Sequence, residues 1–509
     1  MAYLLGIDIG TSGTKTLLID ETGAVVASAT AEHPLYIPKP NWAEQNPADW
    51  WAATVSTIRE VITKSGVAAR DIAGIGLSGQ MHGSVFLDAE NSVIRPALLW
   101  CDQRTAEQCR WITEKVGASD LVAETCNQAM TGFTSPKIIW LRQNEPENYA
   151  RLRKVLLPKD YIRFRLTGEF ATEVSDASGM GLLNVPQRKW SETVLDRIEL
   201  PLEYLPTVFE SQEISGRISE ATAELTGLKV GTPVVGGGGD QAAGAVGNGI
   251  VETGIVSSTT GTSGVVFAHL DAPYSDPLLR TNTFCHAVPD KWHVMGVMLS
   301  AGGSLRWVRD ALCDEEKDVA ASMDKDPYEL MTAEAAEAPV GSEGLIFLPY
   351  LTGERTPYPN ANARGVFFGL HLRHEKRHLI RAVMEGVAYG LRDSFEIIEG
   401  MGAPITQVRA SGGGARSELW RQIQADVTGR EHVTINVEEG PAFGVALLAG
   451  VGTGIWPSVP EACRATIKVV DQRPPVPENA AAYEKLYEVY GDLYRQLEGS
   501  FDKVAAFTS

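Results

Sequence analysis

LLGIDIGTSGTKTLLID (residues 4–20) and GIVSSTTGTSGVVFAHL (residues 254–270) are the two stretches from which the fold is read. Each is an apolar run, a Gly-Thr-Ser-Gly turn and a second apolar run, the pattern of two strands joined by a tight loop. The tetrapeptide falls at 10–13 and again at 261–264, about half of the 509-residue chain apart. Four matching residues alone are within reach of chance. Four in the same strand-loop-strand setting at half-chain spacing argue for two similar domains facing each other. The boundary is expected near residue 248, where GAVGNG leads into VETG, giving domains 1–248 and 249–509.

The flanking sequence extends both copies as α/β. VVASATAEH (25–33) adds a third strand, and Asn46-Pro47 reads as a helix cap followed by proline at the first helical position. Trp50, Trp51, Val55, Ile58, Val61 and Ile62 then recur at helical spacing up to Gly66. IAGIGLSG (72–79) is another strand and VFLDAENSVI (85–94) a short hairpin. In the second half a helix is predicted over 377–398, another after the glycine run at Gly412, and a core-covering amphipathic helix near the end of the chain.

Composition narrows the function. Lys plus Arg total 45 against 64 Asp plus Glu, a net charge of −19, which excludes a nucleic-acid binder or a protein resting on anionic lipid. A small anionic ligand stays open, because backbone N–H groups hold phosphate without net positive charge. Apolar residues at 44% and charged ones at 21% are ordinary for a globular chain. Six cysteines form no CxxC pair, as expected of free thiols in a reducing cytosol. The N-terminus has no cation before Lys15, unlike a signal peptide, and the uncharged stretch between Glu439 and Glu461 is too rich in glycine and proline for a membrane helix. A cytoplasmic protein is expected.

Four glycine-rich runs carry the candidate chemistry. In DIGTSGTK (8–15) small residues aim successive N–H groups into one concavity, Thr11, Ser12 and Thr14 add hydroxyls, and Lys15 closes the phosphate site. Asp8, at the strand end, is placed to hold a hydrated Mg²⁺. A plain hairpin turn explains this loop equally well until the second copy, STTGTSG (258–264), is set against it. SGGGARSELW (411–420) ends a strand and opens a helix, where backbone and helix dipole suit a nucleotide. GGGGDQAAG (236–244) sets Asp240 after four glycines, open to a substrate hydroxyl, or as a helix cap. SGQMHG (78–83) offers His82, a residue type more often structural than functional, and WCDQR (100–104) offers Asp102 and Arg104, by default exposed surface charge. No HExxH, GxSxG or GxxxxGK[ST] pattern occurs, so zinc hydrolysis, a serine nucleophile and a Walker phosphate loop are unsupported.

Together these residues resemble the FGGY family of carbohydrate kinases over nearly the whole chain. TGFTSPKIIWLRQNEP (131–146) and GVFFGLHLRHEKRHLIRAVMEGV (365–387) are similar to the family's signatures. IDIGTSGTK, NWAEQNPADWW, SGQMHG, LLPKDYIRFRLTGEF, SDASG, FLPYLTGERTP and GGGARSELWRQ follow in family order and look most like members acting on D-xylulose. The resemblance implies an α/β fold of two ribonuclease-H-like domains, shared with actin and the Hsp70 ATPase, facing across a catalytic cleft. It implies ATP-dependent phosphorylation of D-xylulose at the C5 hydroxyl, with Mg²⁺; a homodimer is the expected assembly. Carried over residue by residue, Asp240 matches the catalytic base and Asp8 the carboxylate near Mg²⁺ and the phosphates. Met81 and His82 match the dipeptide on the sugar, with Gln241 and Asp102 grouped beside them. Gly261, Thr262, Gly413, Gly414 and Ser417 match nucleotide-contacting positions, and Thr11, Ser12, Thr14 and Lys15 of the first loop are grouped with them as expected ATP contacts. Many D-xylulose kinases carry Asn after the base where this chain has Gln241; the same amide at a different reach bears on the choice of ketose.

Two other readings remain. A kinase for another pentulose or a polyol, of the ribulokinase or glycerol kinase type, shares the phosphate loops and differs in sugar contacts. An actin-like ATPase shares the duplicated fold, but needs neither Asp240 in its glycine loop nor the sugar dipeptide.

Overall fold

The computed structural model describes residues 2–507. The first half opens with β1 (Tyr3–Ile9), β2 (Gly13–Asp20), β3 (Val25–Glu32), α1 (Pro47–Ser65) and β4 (Ile72–Gly79). It continues through α2 (Pro158–Thr167), α3 (Val174–Ser178), β5 (Ile214–Arg217), β6 (Pro233–Val235) and α4 (Asp240–Gly247). The second half runs β7 (Gly254–Thr260), β8 (Gly264–Leu270), β9 (Asn282–Cys285), β10 (Trp292–Met298) and α5 (Lys376–Gly400). It ends with β11 (Ile405–Ser411), α6 (Glu418–Thr428), β12 (Glu431–Ile435), α7 (Gly440–Gly452), β13 (Val469–Arg473) and α8 (Pro477–Ala505).

The duplication is complete at the level of sheet topology. The first sheet is ordered β5-β6-β4-β1-β2-β3 and the second β9-β10-β8-β7-β11-β12-β13. β1 pairs antiparallel with β2 and parallel with β4; β7 pairs antiparallel with β8 and parallel with β11. Each parallel crossover carries a helix, as the chirality of such connections demands. The register also shows where the copies diverge. Asp8 lies opposite Ser78, whereas the matching pair in the second half is Thr259 and Ser411, whose hydroxyls are 2.8 Å apart. Only the first copy keeps a carboxylate.

Local sequence explains the element ends. Asn46 caps α1 by accepting from Ala48 N–H, Pro47 opens it, and Gly66 closes it in the left-handed region. VFLDAENSVI forms less of a hairpin than expected: Leu87 bridges Val93, while Val85–Leu87 pairs with Lys154–Leu156, about seventy residues on. The helix after Gly412 is delayed by a single tight turn over Gly413–Arg416 and begins at Glu418. The six cysteines are free. Among the described residues no helix is long and apolar enough to cross a membrane.

The halves meet in two places. α4 crosses α7 so closely that a Cβ on Gly444 would lie 1.9 Å from the Ala243 carbonyl, which only glycine permits. On the other side, β9 and its neighbours dock on the first half. Asn127 Nδ2 donates to Thr283 O (2.7 Å), Cys285 N to Ser178 Oγ (3.0 Å) and Trp292 Nε1 to Val185 O (2.9 Å). Between these contacts lies the cleft.

Candidate active site

Strand alternation turns Ile7 and Ile9 into the core and leaves Asp8 half-buried at the end of β1. Burial holds the Asp8 carboxyl up at about 6, while the Ser78 hydroxyl and the Lys15 ammonium favour its charge. Asp240 is the first residue of α4; the cap position is taken by Gly239, so the cap reading of Asp240 is off by one residue. Its Oδ1 accepts from Gln241 N–H at 2.8 Å. Burial first, and then the charge of Asp8, raise its pKa to about 7. A Cβ on Gly239 would come 2.9 Å from Met81 Cγ, so the residue before Asp240 packs against Met81.

Asp240 and Gln241 also line a cleft of about 660 Å³ with Thr259, Gly412, Gly413, Arg416, Glu438 and Pro441. Both halves contribute, as a nucleotide held between lobes requires. Gly413 is on this wall, whereas Gly414 is buried against Thr260 and Ser417 caps α6 by accepting from Trp420 N–H. Gly10 N–H closes the first loop onto Gly13 O, and Gly261 N–H closes the second onto Ser263 O, both at 3.0 Å. Thr262 is exposed while its carbonyl accepts from Ala301 and Gly303.

The hydroxyl set of the first loop is smaller than its sequence suggests. Thr14 is fully buried, because alternation along β2 turns it inward. Thr11 Oγ1 donates to Gln80 Oε1 (3.3 Å) and accepts from Trp100 Nε1 (3.0 Å). Ser12 alone of the three is exposed. Lys15 is ion-paired with Glu439, the residue before α7, and so tied to a carboxylate of the other half.

Mg²⁺ fits this corner. Asp8 Oδ1 is buried with no hydrogen-bond partner, and its charge is already felt by Asp240. A hard cation with several waters asks for one or two such carboxylates. Glu343, His371 and His374 are also close enough to share an ion, but the chemistry is wrong. Backbone N–H groups donate to Nδ1 of both histidines, so the neutral rings carry their proton on Nε2 and have no lone pair there to give.

Next to Gly239, Met81 is buried and His82 sits at φ +68°, the left-handed region that non-glycine residues seldom occupy. His82 Nδ1 lies 2.7 Å from Gly179 O; facing a carbonyl it must carry the proton, which leaves Nε2 as an acceptor. Burial, with the Lys137 and Arg355 cations, pushes its pKa down to about 3, so the ring is neutral. Phe133 stacks on it at 4.9 Å. Lys137 Nζ donates to the His82 carbonyl (2.8 Å) and Gly132 O (2.6 Å). Lys137, Phe133 and Arg355 all lie in phrases similar to the family's, but nothing in their spacing marks a role. Asp102 is neither an exposed charge nor a free sugar ligand. It is fully buried, with Oδ2 accepting from Ala43 N–H (2.7 Å) and both oxygens from Arg104. It braces the loop from within.

Comparison with known proteins gives a consistent picture. The FGGY carbohydrate kinase N-terminal domain matches residues 3–247 and the C-terminal domain residues 256–453. The xylulose kinase of Escherichia coli (strain K12) is 41% identical over 500 residues, covering 97% of this chain and 99% of the relative. The gluconokinase of Bacillus subtilis (strain 168) is 33% identical, covering 99% and 98%. The crystal structure of a xyloylose kinase from Brucella ovis superposes with a TM-score of 0.89 at 36% identity, covering 98% and 99% of the two chains.

Proposed function

The chain belongs to the FGGY family of carbohydrate kinases, and on that premise we propose that it transfers the γ-phosphoryl group of ATP to the C5 hydroxyl of D-xylulose, with Asp240 as general base. The observation that carries this reading is the position of Asp240, which lines the cleft between the halves and directly follows Gly239, the residue packed against Met81. Its pKa of about 7 is matched to accepting a proton near neutral pH.

In the step, the ionised Asp240 accepts the C5 hydroxyl proton as that oxygen bonds to the γ-phosphorus. The bond from phosphorus to the bridging oxygen breaks and ADP leaves. Asp8 would hold Mg²⁺, which when bound would supply charge neutralisation at the phosphates. The rest is positioning: His82 Nε2 accepts a sugar hydroxyl proton, Phe133 walls the ring of His82, and Gln241 reaches from the helix start. Backbone N–H groups of the Gly10 and Gly261 loops face the phosphates.

A sugar acid is the second reading, favoured by Lys137 and Arg355 beside His82, although burial draws the Lys137 ammonium down to about 7 and Asp102 already supports its charge. An ADP-release assay with D-xylulose, its epimers, glycerol and gluconate decides. Turnover led by D-xylulose supports the first reading, turnover led by gluconate replaces it, and sugar-independent ATP hydrolysis would return the actin-like alternative.

A further inference from the structure

Five charged side chains lie fully buried beneath the loop that precedes Asp240: Lys159, Asp160 and Arg163 of α2, Glu173, and Asp176 of α3. Lys159 Nζ is the centre, 2.6 Å from Asp160 Oδ1, 3.2 Å from Asp176 Oδ2 and 3.3 Å from Glu173 Oε1. Burial raises the Asp176 carboxyl well above the ordinary carboxylate range, against the pull of the Lys159 ammonium. Apolar residues fill such a volume as well or better, since taking ionisable groups out of water is costly. The cluster therefore has to be understood by what it holds.

It holds backbone. The Arg163 fork donates through Nη1 to Val235 O and through Nη2 to Gly236 O, both at 2.6 Å. Glu173 Oε2 accepts from Ser175 N–H (2.7 Å) and Ser211 Oγ (3.1 Å), and Ser175 Oγ in turn accepts Gly239 N–H (3.1 Å). Between these grips the chain reverses at Gly237, at φ +72°, where a Cβ would lie 1.9 Å from Leu77 O. Gly238 and Gly239 then pair with Ser78 and Gly79, the strand end beside Asp8. Every residue from 235 to 239 is thus fixed, and the next residue is Asp240.

We propose that Arg163, backed by the Lys159 cluster and by Ser175, is a positioning residue for Asp240: its two-pronged grip on consecutive carbonyls aims the base at the acceptor hydroxyl. This rests on the reading of Asp240 as general base. Only a planar guanidinium spans two carbonyls this way, so Lys at 163 keeps the charge and loses the grip. Misplacing a reacting group by about 1 Å costs on the order of 10²-fold in rate.

The test is steady-state kinetics of Arg163→Lys and Ser175→Ala, with the affinity for a non-hydrolysable ATP analogue and the pH dependence of kcat. Arg163→Lys should lose about 10- to 100-fold in kcat, with sugar KM and analogue affinity near wild type and the acid limb displaced. Ser175→Ala, which removes one neutral hydrogen bond, should act in the same direction and decides alone if Arg163→Lys does not fold. Added to Asp240→Asn, Arg163→Lys should cause no further loss, because a removed base has nothing left to aim. Folded variants with wild-type kcat, losses that track thermal stability and analogue affinity together, or full additivity with Asp240→Asn would each overturn the proposal. Near-normal kcat in Asp240→Asn by itself would instead remove the general-base reading.

Discussion

The negative charge of Asp8, at the end of β1, raises the pKa of Asp240, the residue that opens α4. Asp240 in the free protein is therefore protonated below about pH 7, and a base must be ionised to act. The kcat/KM for the sugar should rise with pH through that value. Asp8→Asn removes the repelling charge, so the limb should move to lower pH while the plateau falls through lost metal placement. A limb that stays at about 7 in the variant would show that the two carboxyls do not communicate.

His82 carries a second pH prediction, of opposite kind. Its pKa near 3 keeps the ring neutral across the working range, so any inflection of the sugar KM between about pH 6 and 7 comes from other groups, such as Asp8, Asp240 and Lys137, and not from His82. If Nε2 accepts from a sugar hydroxyl as proposed, His82→Ala should raise the sugar KM far more than the ATP KM. Equal rises would mean that His82 only fastens Gly179. The left-handed backbone adds a control: His82→Gly keeps that conformation without strain and should match Ala in kinetics but exceed it in stability.

How much of this was legible depended on whether the deciding partner lay nearby in sequence. The Gly-Thr-Ser-Gly turns and the Asn46-Pro47 cap are local, and both are realised as read. Asp102 is decided at a distance, because its partners include Ala43 N–H across 59 residues, so a charge that reads as exposed becomes a buried brace. Thr14 reads as a loop hydroxyl, but the strand begins at Gly13, and alternation then sends it inward. Nothing local to Lys159, Asp160 and Arg163 announces that Glu173, Asp176 and the carbonyls of 235 and 236, farther along the chain, are their partners.

Lys15 and Glu439 form a half-exposed ion pair between the two halves. While paired, Lys15 is withheld from phosphate, and the cost of a nucleotide recruiting it is the loss of that contact. Glu439→Gln should therefore lower the ATP KM, by about two- to five-fold given what such pairs are worth, and the gain should shrink as salt is raised. Sugar KM should be unaffected. An ATP KM that rises would mean that the pair closes the cleft and that Lys15 acts from within it.

Asp240→Asn tests the mechanism and the thermodynamics of the site together. A sugar hydroxyl is a weak nucleophile at neutral pH, and Asn keeps the size and hydrogen bonding of Asp without a basic oxygen. The kcat should fall about 10²–10⁴-fold, the range for loss of a general base, with ATP still bound. The folded-state pKa of about 7 lies above the ordinary 3.8, so ionising this buried carboxyl works against the folded state. That cost grows as pH rises from about 4 and is complete above about 7. Asn cannot ionise, so the variant should melt higher than wild type at about pH 8 and alike at about pH 4. A folded, nucleotide-binding and more stable protein that has lost turnover assigns the loss to chemistry rather than to structure. A variant with near-normal kcat places the base elsewhere, and leaves Asp240 as the buried first residue of its helix.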